Sequence, residues 1–252
     1  MGLLTAAGVG RTALADAIAS CPHFKAFDLG QAGVCTEVIG AQGSWRRPPE
    51  GWTGRLLEAP ILFVTSNPNT DVTKPGNDPV FETPEDLAKF NDLYFDSHSL
   101  SGVQTWIQLQ KWATAFLGGL KAVPGADFAL TDAVRCASPG QLGVDSAMGR
   151  CASLYLGQIL ELSGASVIGF CGKARVALRD FIEPDRYRVD LAVDQVIGPV
   201  EFFGRERMLV GLRHPADVYH GSLELNAMKP DDLAALQARL TQERDPGFRR
   251  FT

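Results

Sequence analysis

Apolar residues in this chain fall into short unbroken runs alternating with longer stretches at helical spacing. Ala59-Pro60-Ile61-Leu62-Phe63-Val64, Phe128 to Val134, Ser166 to Phe170 and Arg207 to Leu212 have the length and continuity of strands covered on both faces. Gln104 to Leu117 places Trp106, Leu109, Trp112, Ala113 and Phe116 on one helical face. Ala147 to Leu162 repeats the pattern through Cys151, Leu154, Tyr155, Ile159 and Leu162. Gly172 to Phe181 reads as a short helix, and Asp231 to Gln242, after Pro230, as an exposed one. The polar stretch 67–103, rich in Pro, Asp and Asn, predicts a loop with at most a short helix at 84–93. Residues 187–206 suggest a pair of less regular strands.

Strands that alternate with helices predict an α/β fold in three layers, α/β/α, around a central, mainly parallel sheet. Residues 40–58, with Gly, Pro and two Trp, read as an arm entering the first strand. The expected division is 1–58 as an N-terminal helix and arm and 59–252 as the α/β unit, together one structural domain.

Composition narrows the class. With 45% apolar and 21% charged residues in 252, the chain can bury an ordinary core. No apolar run approaches the roughly 20 residues needed to span a bilayer, and Met1 to Ser20 is too weakly apolar for a secretory leader. A cytoplasmic monomer without membrane partners is the expectation. A net charge of −5 argues against a broad nucleic-acid-binding face while leaving room for a local basic cleft. Five cysteines, odd in number and widely spread, do not read as a disulfide framework; metal binding, catalysis or plain burial remain.

Candidate chemistry sits at two strand ends. Thr65-Ser66-Asn67-Pro68-Asn69 follows the first strand and His214-Pro215-Ala216-Asp217 the last. Ligands of parallel sheets bind beyond the carboxyl ends of strands, so both loops are expected to open onto one cleft. An amide can orient a water, and an imidazole can donate to a group that becomes negative. The pair suits hydrolytic removal of an anionic leaving group. The plain alternatives are an Asn-Pro turn and a histidine satisfied at a strand end.

Five segments in order carry a resemblance: Thr65-Ser66-Asn67-Pro68-Asn69; Leu130-Thr131-Asp132-Ala133-Val134-Arg135-Cys136; a helix starting near Cys151; Val167-Ile168-Gly169-Phe170-Cys171-Gly172-Lys173-Ala174; and His214-Pro215. Over 60–217 the chain resembles the uracil-DNA glycosylase superfamily. The resemblance implies a uracil-DNA glycosylase-like fold and, as activity, hydrolysis of the N-glycosidic bond of deoxyuridine in base-excision repair. Its partner would be uracil-containing DNA and its product free uracil. Asn67 would position the water and His214 would donate to uracil O2. Ser66, Pro68, Asn69 and Asp132 would line the base site, with Phe81, Tyr94 or Phe95 stacking on the base or belonging to the core. Asp132 departs from the Asn often found at its position, because an ionised carboxylate only accepts hydrogen bonds. In the loop after His214, Val218 aligns with the wedge that fills the gap left by a flipped base, and Tyr219 could stack. Arg135, Lys173, Arg175 and Arg213 are the expected phosphate contacts. No Lys lies in the two loops except Lys74, which favours a monofunctional mechanism over Schiff-base chemistry.

Iron–sulphur branches of that superfamily hold a 4Fe–4S cluster on four cysteines. Cys136 and Cys151 match the second pair; Cys21 and Cys35 would supply the first, although their spacing is far wider than C-x-x-C. The alternative is that all four are small buried hydrophobes. Two other functional classes remain. Cys171 between strand and helix, with Asp194 and His214 downstream, is the composition of a Cys-His-Asp hydrolase, although Lys173 stands where an elbow needs Gly. A non-catalytic binder of uracil-containing or damaged DNA would use the same fold.

Overall fold

The computed structural model describes residues 10–44, 46–68, 81–97, 103–182, 189–217, 225 and 228–244. Six strands form one mixed sheet: β1 (Trp52–Thr53), β2 (Ile61–Thr65), β3 (Phe128–Asp132), β4 (Val167–Cys171), β5 (Val196–Phe202) and β6 (Arg205–Leu212), in the order β1-β3-β2-β4-β6-β5. The central four, β3-β2-β4-β6, run parallel, and β1 and β5 close the two edges antiparallel. β2, β3 and β4 are buried at every position, as strands covered on both faces must be.

Alternate residues of these strands feed two separate cores. Leu62, Val64, Ile168 and Leu209 pack with Leu14, Ile18, Val38 and Ile39 and with the helices α6 (Val144–Cys151), α7 (Gly157–Leu162) and α8 (Ala174–Asp180). Ile61, Phe63, Val167 and Val210 pack on the other face against α5 (Gln104–Phe116) and α9 (Pro230–Arg244). A core on each face is compatible with the three-layer arrangement.

Local departures from the expectations have identifiable causes. The polar stretch contains a fourteen-residue helix, α4 (Pro84–Ser97), rather than a short one at 84–93. Its start matches the expectation and is capped by Thr83, which accepts from the Asp86 backbone N–H at 3.2 Å and donates to the Asp86 carboxylate at 2.6 Å, with Pro84 following; the extension to Ser97 accompanies packing of Tyr94 and Phe95 on Trp106. Among the described residues of 187–206, β5 pairs through the Phe203-Gly204 turn, both at positive φ, with a β6 that already begins at Arg205. α9 is not wholly exposed, since Leu236 and Leu240 enter the core. Residues 40–58 do more than lead into a strand, for Trp52 and Thr53 add the edge strand β1. The preceding helices α1 (Arg11–Ala19), α2 (Pro22–Asp28) and α3 (Thr36–Gly40) contribute Leu14, Ile18, Val38 and Ile39 to the same core as the sheet. Among the described residues no helix is long and apolar enough to cross a membrane.

Candidate functional site

Beyond the carboxyl ends of the parallel strands lies a cleft of about 620 Å³, within the range of small-molecule sites. Asn67 and Pro68 enter it from the loop after β2, Asp132 from the end of β3, and His214 and Pro215 from the loop after β6. One wall is aromatic. Phe81 stacks near Phe90 (5.0 Å between centroids), Phe90 meets Tyr94 edge-on (5.5 Å), and Tyr94 meets Trp106 the same way (5.5 Å). Of the three aromatics considered for the base, Phe81 and Tyr94 line the cleft, whereas Phe95 packs on Trp106 and Phe128 in the core. α4, which carries Phe90 and Tyr94, is held by α1: Arg11 pairs with Glu85 (2.7 Å) and with Asp92. Trp52 Nε1 also donates to Asp92 at 2.8 Å.

Each polar group has a defined setting. Asn67 Nδ2 donates to the Pro68 carbonyl at 3.3 Å, which leaves Oδ1 as the acceptor that can hold a water. Thr65 and Asp132 are register partners at the ends of β2 and β3, and the Thr65 hydroxyl donates to Asp132 Oδ1. Burial pushes the Asp132 carboxyl up to about 6, against the opposing pull of Thr65 and Arg135. His214 Nδ1 accepts from the Ala216 backbone N–H at 3.2 Å, so the proton of the neutral ring is on Nε2. Burial lowers the imidazole's pKa and Asp217 only partly offsets this, which favours the neutral ring at pH 7. Gly172, at φ 54°, lets the β4 turn pass close under the ring: a Cβ there would lie 3.1 Å from His214 Cβ and Cδ2.

Scanned against models of protein families, the chain matches none. No curated protein matches it.

Several expected roles need correcting. Ser66 is fully buried and absent from the cleft wall, where its carbonyl accepts from Val134 N–H at 2.9 Å. Arg135 is 1% exposed and cannot meet a phosphate; its Nη1 donates to the Gly51 carbonyl at 2.7 Å and to Thr131. Lys173 is bound to both Asp145 carboxylate oxygens at 2.8 Å, and Arg175 donates to the Gly172 and Leu191 carbonyls at 3.2 and 3.1 Å. Arg213 is exposed beside His214. Asn69, Lys74, Val218 and Tyr219 lie outside the described residues. Cys171 is no elbow: it is the last residue of β4, fully buried, with burial driving its thiol upward, and neither it nor Asp194 lines the cleft. Gln141, Ser138 and Trp52 line the cleft without having been singled out in the sequence. Ser138 and Gln141 stand in the loop directly after β3, a strand-end position that marks such residues.

The other four cysteines converge. Cys21 precedes α2, Cys35 precedes α3, Cys136 follows β3 and Cys151 ends α6, yet all four line one small cavity. Every one is a free thiol. Burial pushes Cys35 up to about 11 and Cys151 up to about 12, and neighbouring thiols add to the rise at Cys35, Cys136 and Cys151. The setting nonetheless has cationic groups and donors for thiolates: Arg135 backbone N–H donates to Cys151 Sγ at 3.2 Å, and Arg150, which donates to His23 at 3.0 Å, acts on Cys35. Tyr155, in a π turn (Ala152–Leu156) that continues α6, hydrogen-bonds Cys21. Among the described residues no three such side chains are close enough to hold a single metal ion. A cubane spreads its four thiolates wider than one ion does. The free space between the thiols, about 10 Å³, is that of one water, so a cluster there requires the thiols to swing apart. The donor set, four thiols with cationic neighbours and drawn from four separate segments, is of the kind a cluster takes, whereas the space between the thiols is too small for one as they stand.

Proposed function

We propose that this chain is a monofunctional DNA glycosylase that hydrolyses the N-glycosidic bond of deoxyuridine. The observation that carries this reading is the meeting of Asn67, Asp132 and His214, from three separate strand ends, in one aromatic-walled cleft. A base must leave the duplex to reach such a site, at a cost of a few kcal/mol. Phe81 and Tyr94 give the extruded base an aromatic wall. Asp132 faces its hydrogen-bonding edge: when protonated, the carboxyl offers one acceptor and one O–H donor, the complement of uracil N3–H and O4. As the bond to N1 breaks, charge moves onto the base and its O2. Nε2–H of neutral His214 is the donor for that charge, and Asn67 Oδ1 orients the water that captures the sugar carbon. The water's proton is released to solvent and uracil departs as its anion. No step uses an amine of the protein.

Cys21, Cys35, Cys136 and Cys151 would hold a 4Fe–4S cluster. When bound, it would supply a cross-link between the N-terminal helices and the β3 loop, whose far side bears Asp132. Binding would require the four thiols to lose their protons.

Incubating the protein with an oligonucleotide containing one uracil and then treating it with alkali tests the activity. Cleavage at the uracil, dependent on His214, supports the reading. Tight retention of uracil DNA without base release points instead to a binding protein, and neither binding nor release removes the proposal.

A further inference from the structure

Gln141 has no part in the mechanism above, and two independent features single it out. Its backbone is left-handed, φ 61°, directly after Gly140 at 59°. That conformation is unfavourable for a side chain with a Cβ, and the fold alone would be better served by Gly or Asn. Such strain collects where a side chain must be aimed. The side chain reaches the cleft and stops with its Nε2 3.5 Å from Nε2 of His214.

That distance has a chemical meaning once the histidine tautomer is included. His214 Nδ1 is engaged as an acceptor by Ala216 N–H, so the ring's Nε2 is a donor. An amide N–H and an imidazole N–H at 3.5 Å do not bond each other. They can converge on one acceptor oxygen placed within hydrogen-bond reach of both. The strand-end loop of β3 and that of β6 thereby present two neutral donors to the same point of the cleft.

We propose that Gln141 is a further catalytic residue: its side-chain N–H and His214 Nε2–H together bind the oxygen on which negative charge develops as the base leaves. This rests on the glycosylase reading and extends it from one donor to two. A pair of preorganised donors at a developing oxyanion is the arrangement that acyl-transfer enzymes use for the same electrostatic task. Gln and neutral His carry no charge, so the pair binds a forming anion without holding a permanent one in the ground state.

The test is single-turnover release of uracil and of 5-fluorouracil by wild type and by Gln141→Gly, Gln141→Glu and His214→Ala. Gly suits the local φ, so thermal stability should hold or rise while uracil release falls roughly 10- to 100-fold, the scale of one lost donor. 5-Fluorouracil leaves more readily because fluorine withdraws charge from the ring. The defect of Gln141→Gly should therefore shrink several-fold on it, in parallel with that of His214→Ala. Gln141→Glu removes the donor while keeping an acceptor and should be at least as slow as the Gly variant. Its carboxylate should also favour the imidazolium form of His214 and shift the acid limb of the rate profile upward. A Glu variant as active as wild type, or a Gly defect equal on both bases, overturns the two-donor site. Absence of release by the wild type overturns the glycosylase reading itself; wild-type release with unaffected Gln141 variants overturns only the inference.

Discussion

Asn67 and His214 carry different burdens, and their surroundings reflect this. The amide lies half-buried at a turn, where its Nδ2 donates to its own Pro68 carbonyl. The imidazole is fixed from two sides, by Ala216 N–H and by the close Gly172 backbone. Asn67→Ala and His214→Ala should each slow single-turnover uracil release by about 10²-fold or more while DNA binding changes little. Wild-type rates in both variants, followed by alkaline cleavage of a uracil oligonucleotide, would remove the site from this cleft. Asp132 makes a prediction about stability. Burial holds its folded pKa at about 6, above the ordinary carboxyl value of 3.8. Between those values the folded chain holds more protons than the unfolded one, so this group's contribution falls as pH rises through the window and stays low above it. Asp132→Asn lacks that loss. Its melting temperature relative to wild type should therefore be more favourable near about pH 7.5 than near about pH 4, and an equal difference at both pH values would show that Asp132 is not held protonated.

Among the elements, the N-terminal helices are bound to the rest by more than the Arg11 ion pairs to α4. α1 and α3 place Leu14, Ile18, Val38 and Ile39 in the core, and Cys21 and Cys35 join Cys136 and Cys151 around one cavity. If these thiols hold a cluster, protein purified without oxygen should be brown, contain iron and absorb at roughly 400 nm. Cys136→Ala should then lose both colour and solubility. Because burial holds Cys35 and Cys151 protonated, reconstitution of the apoprotein should release protons and speed up as pH rises. Iron-free, colourless protein after anaerobic preparation would make the four cysteines packing residues, and the shared hydrophobic core, with the Arg11 ion pairs to α4, would then bind the helices.

Over the whole molecule, the proposed glycosylase activity would require a chain of net charge −5 to hold a polyanion through local contacts. Of the four cations first expected to do this, Arg135 is buried, Lys173 is paired with Asp145 at the surface and Arg175 is turned onto backbone carbonyls. Arg213, exposed beside His214, is the one of the four that we propose for the role. Each phosphate neutralised contributes about 0.9 to the slope of log affinity against log salt. Arg213→Ala should lower that slope by about one, whereas Lys173→Ala should leave it almost unchanged. Titration of labelled uracil DNA over a range of salt measures both; a large drop for Lys173→Ala would mean that DNA displaces Asp145.

Strand and helix periodicity by itself determined the four parallel strands, α5, the long helix ending at Leu162 and the strand-end positions of Asn67 and His214. Unbroken apolar runs and i, i+3, i+4 spacing are local consequences of burial, and they are legible without knowing what covers them. The start of α4 at residue 84 is legible in the sequence, but its C-terminal end is not: the helix runs on to Ser97 while Tyr94 and Phe95 pack on Trp106 of α5, a tertiary contact. The separation of Arg135 from Arg213, one sealed under Gly51 and one in solvent, is a matter of burial, to which the identity of the residue is blind. Gln141 likewise carries no sequence signal beyond following a strand, since what distinguishes it is a left-handed φ and a neighbour from β6. The meeting of Cys21 and Cys35 with Cys136 and Cys151, despite a spacing that matches no short motif, was decided only by the tertiary structure. Residues remote along a chain are brought together by the packing of the elements that bear them, and that packing is a property of the whole core rather than of any segment.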